Sequence, residues 1–150
     1  MHIVITNGSD ERFVMLCKKL DDYLNEMVGG EKQRQEYVQY NSLQEIHHVV
    51  LLIEEQATVG CGSFKRYDDN TVEMKRVFVR EEYRGRKLGQ LIISELENIA
   101  RKEGYCKAIL ETGKPLASAF RLYQRLGYQV ITNYGPYVYL TDSICMGKYL

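Results

Sequence analysis

Residues Val77–Leu91 read VFVREEYRGRKLGQL and join a strand to a helix through a short basic turn. Val77, Phe78 and Val79 end a strand, a charged turn follows, and RGRKLG opens a helix. From Leu88 onward apolar residues recur at Leu91, Ile92, Leu96 and Ile99, the three-and-four spacing of a half-buried helix. Gly104 supplies its stop. A strand that feeds a glycine-spaced turn into a helix N-terminus builds an anion site. The N–H groups of the first turn have no intrahelical acceptor, and the helix dipole favours negative charge there. Gly85 and Gly89 remove side chains where a phosphate would touch backbone. Arg84, Arg86 and Lys87 bring full positive charge to the same point.

The run V-F-V-x-x-x-Y-R-G-R-K-L-G resembles the coenzyme-A diphosphate motif of the GNAT acetyltransferase superfamily, Q/R-x-x-G-x-G/A. Arg84 stands at the Q/R position and Gly89 at the last one. Lys87 replaces the middle glycine, so its side chain must point away from a diphosphate or reach round to it. A second stretch, A-F-R-L-Y-Q-R-L-G-Y, is similar to the superfamily signature A-x-x-L-Y-x-x-x-G-F/Y, and matches it at Ala119, Leu122, Tyr123, Gly127 and Tyr128. Leu116 stands where the superfamily often has an asparagine, which removes one hydrogen bond to the pantetheine arm. The likeness covers about residues 46 to 130. It implies a mixed α/β fold: a mostly antiparallel sheet of about seven strands, splayed between the fourth and fifth, and flanked by about four helices.

Composition fits that expectation. The 150 residues suit one domain over 1–150, with 45% hydrophobic and 27% charged residues. Twenty basic and twenty acidic residues cancel, so no global field draws the chain to nucleic acid or membranes. The apolar run Ile3–Ile5 is too short for a signal peptide, and no stretch reaches a membrane span. Cys17, Cys61, Cys106 and Cys145 are scattered, without a C-x-x-C pair, so reduced cysteines in a cytoplasmic protein are expected. No histidine stands at metal spacing, and adjacent His47 and His48 point to opposite faces of a strand. No metal is expected. Six cations lie between Lys75 and Lys87, but Glu81 and Glu82 dilute them and no aromatic residues interleave for base stacking. A P-loop is excluded because Leu88-Gly89, not Ser or Thr, follows Lys87.

In chain order, His2–Thr6 is a strand and Asn7–Asp10 offers caps for a helix. Phe13, Leu16, Cys17, Leu20, Leu24 and Met27 form that helix's apolar stripe, and Gly29-Gly30 ends it. A second short helix is expected from Glu31 to about Tyr40. The superfamily resemblance makes these two helices the wall of the acceptor site, where Asp21, Asp22 and Glu26 would attract a cationic amine; a solvated helix face is the plainer reading. Val49–Ile53 is a nearly continuous apolar run, as in a strand buried on both sides. Ala57–Tyr67 and Val72–Val79 complete a three-strand meander, with turns at 54–56 and 68–70. After the long helix, Tyr105–Leu110 is a strand, Pro115 suits the first turn of the next helix, and the tyrosine-rich tail from Gln129 supplies two last strands.

The resemblance implies an N-acetyltransferase that moves the acetyl group of acetyl-CoA directly to a primary amine. The residues Arg84 to Gln90 (Arg84, Gly85, Arg86, Lys87, Leu88, Gly89, Gln90) would hold the cofactor. Main-chain groups of Val77, Phe78 and Val79 would polarise the thioester. Glu73, six residues before Val79, would be the base, against the plainer reading of an exposed strand glutamate pairing with Lys75 or Lys65. Glu111 is the next candidate. Tyr123 would be the general acid, against the reading of a core aromatic. Strict alternation puts Glu73, Lys75, Val77 and Val79 on one face, and the superfamily's usual bulge is expected near Arg76–Val79. A route through Cys61 or Cys106 needs an adjacent base that the sequence does not show. The absence of a targeting module favours a small amine over a protein tail as acceptor. A protein N-acetyltransferase and an acyl-CoA sensor without turnover stay as alternatives, and a homodimer is left open.

Overall fold

The computed structural model describes residues 1–28 and 40–150. The chain runs β1 (His2–Thr6), α1 (Glu11–Val28), a 3-10 turn (Tyr40–Glu45), β2 (His48–Glu54), β3 (Ala57–Arg66), β4 (Thr71–Val79) and a 3-10 turn (Glu81–Tyr83). It continues with α2 (Leu88–Lys102), β5 (Lys107–Gly113), α3 (Ala117–Arg125), β6 (Gln129–Ile131), a 3-10 turn (Gly135–Tyr137) and β7 (Ser143–Tyr149). The described residues thus hold three α-helices against about four expected. The short helix expected from Glu31 lies outside them apart from Tyr40, as does the Gly29-Gly30 stop.

The seven strands form one sheet in the order β1-β2-β3-β4-β5-β7-β6. Every neighbouring pair is antiparallel except β4 and β5, which are parallel. The sheet separates two apolar layers. On one face Phe13, Leu16, Cys17 and Leu20 of α1 meet Val49, Leu51, Ile53, Cys61 and Phe78. On the other, Leu88, Ile92, Ile93 and Leu96 of α2 meet Val50, Leu52, Val59, Val72 and Met74. The continuous apolar run of β2 has this cause, since its residues alternate between two buried layers. A Cβ on Gly62 would lie 2.4 Å from Ile92 Cγ2, so only a glycine in β3 lets α2 lie this close.

Two expectations about β4 conflict, and the bulge wins over strict alternation. In the β3–β4 ladder Cys61 pairs with Phe78 and Ser63 with Lys75, so β4 carries one extra residue. Arg76 takes it up in the left-handed region, at φ +59°. Ser63 Oγ donates to the Lys75 carbonyl at 2.6 Å, and Cys61 Sγ to the Arg76 carbonyl at 3.3 Å. The extra residue reverses the facing of the strand beyond it. Val72 and Met74 pack toward α2, and so do Val77 and Val79, whereas Phe78 packs toward α1. Glu73 and Lys75 therefore do not share a face with Val77 and Val79.

Past the bulge the sheet opens. Only Thr71, Val72 and Glu73 pair with β5, opposite Lys107, Ala108 and Ile109. Beyond Glu73 the two strands separate, as the resemblance implies. β5 also runs past the expected Leu110 to Gly113, because its ladder to β7 continues through Glu111↔Cys145 to Gly113↔Ser143. Pro115 stands before α3 rather than in its first turn. The Leu116 N–H closes a turn on the Gly113 carbonyl at 2.9 Å, which delays the helix to Ala117.

Candidate active site

The turn between β4 and α2 lies at one end of the opened strands. Gly85, at φ +82°, and Lys87, at φ +61°, turn the chain into the helix. A Cβ on Gly85 would meet nothing within 4 Å, so the glycine there serves backbone conformation. Lys87 adopts the same region with a side chain, at a cost of about 1 kcal/mol. This is the position where the motif usually has glycine. The first intrahelical bond runs from the Leu91 N–H to the Lys87 carbonyl at 3.2 Å. The N–H groups of Leu88, Gly89 and Gln90 precede it and point out of the helix end. Gly89 also has a packing role. A Cβ there would lie 3.1 Å from Leu122 Cδ2, so this glycine lets α3 approach the start of α2.

The cations of the turn are not equivalent. Arg86 makes a two-pronged pair with Glu54, at 2.9 and 3.0 Å. Arg84 Nε donates to the Val79 carbonyl at 2.9 Å, and its guanidinium lies 4.6 Å from the Tyr23 ring centre and 5.5 Å from that of Phe78. Both side chains brace the turn against neighbouring elements. Lys87 has no ion pair among the described residues.

Glu73 is the last residue of β4 to pair with β5, which puts it at the apex of the opening. Its side chain is 15% exposed. Tyr134 Oη donates to Glu73 Oε2 at 2.7 Å, and Lys75 Nζ lies 4.0 Å from the same oxygen. Lys75 Nζ also reaches Tyr137 Oη at 3.3 Å, and the rings of Tyr134 and Tyr137 meet edge to face at 5.5 Å. Burial, then the hydrogen bond to Glu73, pushes the Tyr134 phenol far above its ordinary range. Tyr134 and Tyr137 are site residues that sequence reading missed. They stand 61 and 62 positions from their partners, and only the tyrosine-rich tail hinted at them.

Tyr123 comes from α3, which follows β5 directly. It is buried against Tyr128, with ring centres 5.8 Å apart, and burial pushes its phenol up to about 12. No described residue hydrogen-bonds its hydroxyl. Asp21 is neither a solvated residue nor an open lure for amines. It is 1% exposed, and its Oδ1 accepts from Arg76 Nη1 at 2.6 Å. Asp22 and Glu26 do face an open cleft of about 280 Å³, beside Tyr23, Phe78, Arg80 and Arg84. The Cys61 thiol is fully buried and raised well above its usual range by contact with Cys17 and by burial, as suits an inert thiol. Cys106 is exposed, and its N–H is bonded to Asn70 where β4 and β5 are still together. No group of three or more metal-ligating side chains occurs among the described residues. None of the described helices is long and apolar enough to cross a membrane.

Known proteins resemble this chain in both sequence and fold. The profile of the acetyltransferase (GNAT) family matches residues 15–128. The chain belongs to the GNAT acetyltransferase family. An uncharacterized N-acetyltransferase of Dictyostelium discoideum is 38% identical over 71 residues, 47% of this chain and 32% of that protein. The IAA acetyltransferase of Azospirillum brasilense is 30% identical over 125 residues, covering 83% of this GNAT chain and 81% of that one. The chain therefore spans about a third of the first relative and about four-fifths of the second. A crystal structure from Klebsiella pneumoniae, described provisionally as an acyl-CoA N-acyltransferase, superposes with a TM-score of 0.83 at 29% identity, over 99% of this chain and 97% of that one. PaiA N-acetyltransferase from Thermoplasma acidophilum, in complex with coenzyme A, shares the GNAT fold at a TM-score of 0.68, 20% identity and full coverage of both chains.

Proposed function

We propose that this GNAT chain, as one domain over 1–150, transfers the acetyl group of acetyl-CoA to the amine of a small molecule, by direct transfer with both substrates bound. The observation that carries the proposal is the opening of β4 from β5 beyond Glu73, beside the helix N-terminus at Leu88–Gln90. The residues fit the cofactor on their own chemistry. Free N–H groups and the Lys87 ammonium suit a diphosphate. The β4 edge beyond Glu73, unpaired with β5, offers main-chain groups to a pantetheine arm and N–H groups to a thioester oxygen.

Acetyl-CoA supplies the acyl group as a thioester. The chain's residues handle the protons. Glu73 takes one from the ammonium, directly or through a water chain, so that the amine lone pair can form the C–N bond. Tyr123, a neutral phenol at physiological pH, gives one to the sulfur as the C–S bond breaks, and the second proton that the nitrogen sheds on becoming an amide restores the phenol. The hydrogen bond from Tyr134 fixes the Glu73 carboxylate, and Tyr134 takes the place of the Lys65 partner considered from sequence. The burial of Cys61 and the placement of Cys106 favour direct transfer over a thiol intermediate.

Initial rates of thiol release, with acetyl-CoA and an amine both varied, test this reading. Converging double-reciprocal lines are expected. Parallel lines would replace direct transfer by a covalent route, and acetyl-CoA binding without amine-dependent thiol release would make the chain a sensor.

A further inference from the structure

A second cavity, of about 510 Å³, opens at the far end of β5. Met27 of α1, Pro115, Tyr137, Tyr139 and Leu140 give it apolar and aromatic walls, and Glu111 and Asp142 are its acids. No Lys, Arg or His is among its described lining residues. The volume suits a small molecule. The far wall is held in place: Asn133 Nδ2 donates to the carbonyls of Tyr137, Leu140 and Ser143, at 3.1, 3.3 and 3.2 Å. One oxygen of Glu111 accepts from Ser143 Oγ at 2.7 Å, which orients the carboxylate and leaves its other oxygen for a ligand. Tyr137 belongs both to this cavity and to the Glu73 cluster, through Lys75 Nζ at 3.3 Å and the Tyr134 ring at 5.5 Å. Tyr137 thus stands between the cavity and the residues at the apex of the strand opening.

We propose that this cavity selects the acceptor, and that the acceptor is a monocationic primary amine with an aromatic or compact apolar body, its ammonium drawn in by Glu111. The inference rests on the acetyl-transfer reading and adds the substrate class to it. The two carboxylates, with no cation among the described lining residues, attract an ammonium and leave the carboxylate of an amino acid unmatched. Tyr137, Tyr139, Leu140, Met27 and Pro115 bury an apolar body and offer little to a polycation. Glu111 is a positioning residue here, distinct from Glu73, which stands where the strands part.

The test uses the full chain with coenzyme A bound and 2-phenylethylamine as probe. Calorimetry reads binding, and thiol release reads turnover against spermidine, an amino acid and a short peptide. The proposal expects 2-phenylethylamine to bind and to have the highest kcat/KM of the panel. Glu111→Gln should raise its Kd and KM about tenfold or more, the loss of roughly one charged hydrogen bond, with kcat and acetyl-CoA affinity little changed. Glu111→Asp should recover part of the loss. Tyr139→Ala, at a side chain 93% exposed and so safe for folding, should weaken the aromatic probe more than it weakens methylamine. Spermidine or peptide turnover above that of 2-phenylethylamine would overturn the substrate class and leave acetyl transfer standing. Unchanged binding in both Glu111→Gln and Tyr139→Ala would overturn the site. Failure of acetyl-CoA itself to bind would instead overturn the reading beneath.

Discussion

At Tyr123, burial pushes the phenol up to about 12, so the proposed acid keeps its proton through any ordinary assay. Tyr123→Phe keeps the ring packed on Tyr128 and removes only the hydroxyl. Turnover should fall ~10²-fold with acetyl-CoA affinity retained; wild-type turnover would return Tyr123 to a packing role. The same shift has a stability consequence. Between pH ~10 and ~12 the folded chain holds a proton that the unfolded chain releases, so stability falls as pH rises through that window. Alkaline unfolding curves of Tyr123→Phe should be flatter there. Glu73→Gln tests the proposed base. Turnover should fall ~10²–10⁴-fold at neutral pH, and the deficit should narrow at high pH as free amine becomes abundant. A Glu73→Gln profile matching wild type at every pH would move the role to another group. Glu73 and Tyr123 could be picked out because each sits at a fixed spacing from a motif. Tyr134 could not, since its contact with Glu73 depends on how the β6–β7 segment folds back over the sheet.

Among the elements, β4 depends most on contacts that no local pattern encodes. Its bulge puts a left-handed arginine against α1, and the Arg76–Asp21 pair is almost closed to solvent, with side chains 10% and 2% exposed. Asp21→Asn would leave the guanidinium buried without its counter-charge, so a loss of about 3–5 kcal/mol is expected by denaturant melting. A loss below about 1 kcal/mol would show that the bulge holds without the pair. Alternation alone predicts the wrong facing for Val77 and Val79, because an inserted residue is invisible to a period of two. The start of α1 is more legible. Asp10 accepts from the Arg12 N–H at 2.9 Å as an N-cap, and the Arg12 side chain above all holds its carboxyl down at about 2. This stabilisation is complete above the unfolded value near ~4 and is lost as pH falls toward ~2. Asp10→Ala should therefore cost about 1–2 kcal/mol at pH 7 and almost nothing at pH 2. An equal cost at both pH values would contradict this assignment.

Across the whole molecule, the three-strand meander, the buried β2 and the parting of β4 from β5 follow from features the sequence displays and from the family resemblance they carry. The run Val49–Ile53, the glycine-spaced turn before α2 and the Ala119–Tyr128 signature are each local in sequence, so a single reading finds them. The proposed acceptor side is less legible. Its parts come from α1, β5 and the segment before β7, and Met27, Glu111 and Tyr137 meet only after folding. Helix N–H groups beyond the end of β4 and an acid-lined, aromatic cavity beyond the end of β5 suit two substrates that meet between the parted strands. The most direct measurement is the fate of a labelled acetyl group. The protein is incubated with acetyl-CoA labelled in the acetyl carbon and with 2-phenylethylamine, and labelled amide and free thiol are quantified together. The account predicts that both appear only with protein present, in equal amounts, and that Glu73→Gln slows both alike. Thiol released without labelled amide, or labelled amide formed at an undiminished rate by Glu73→Gln, would contradict it.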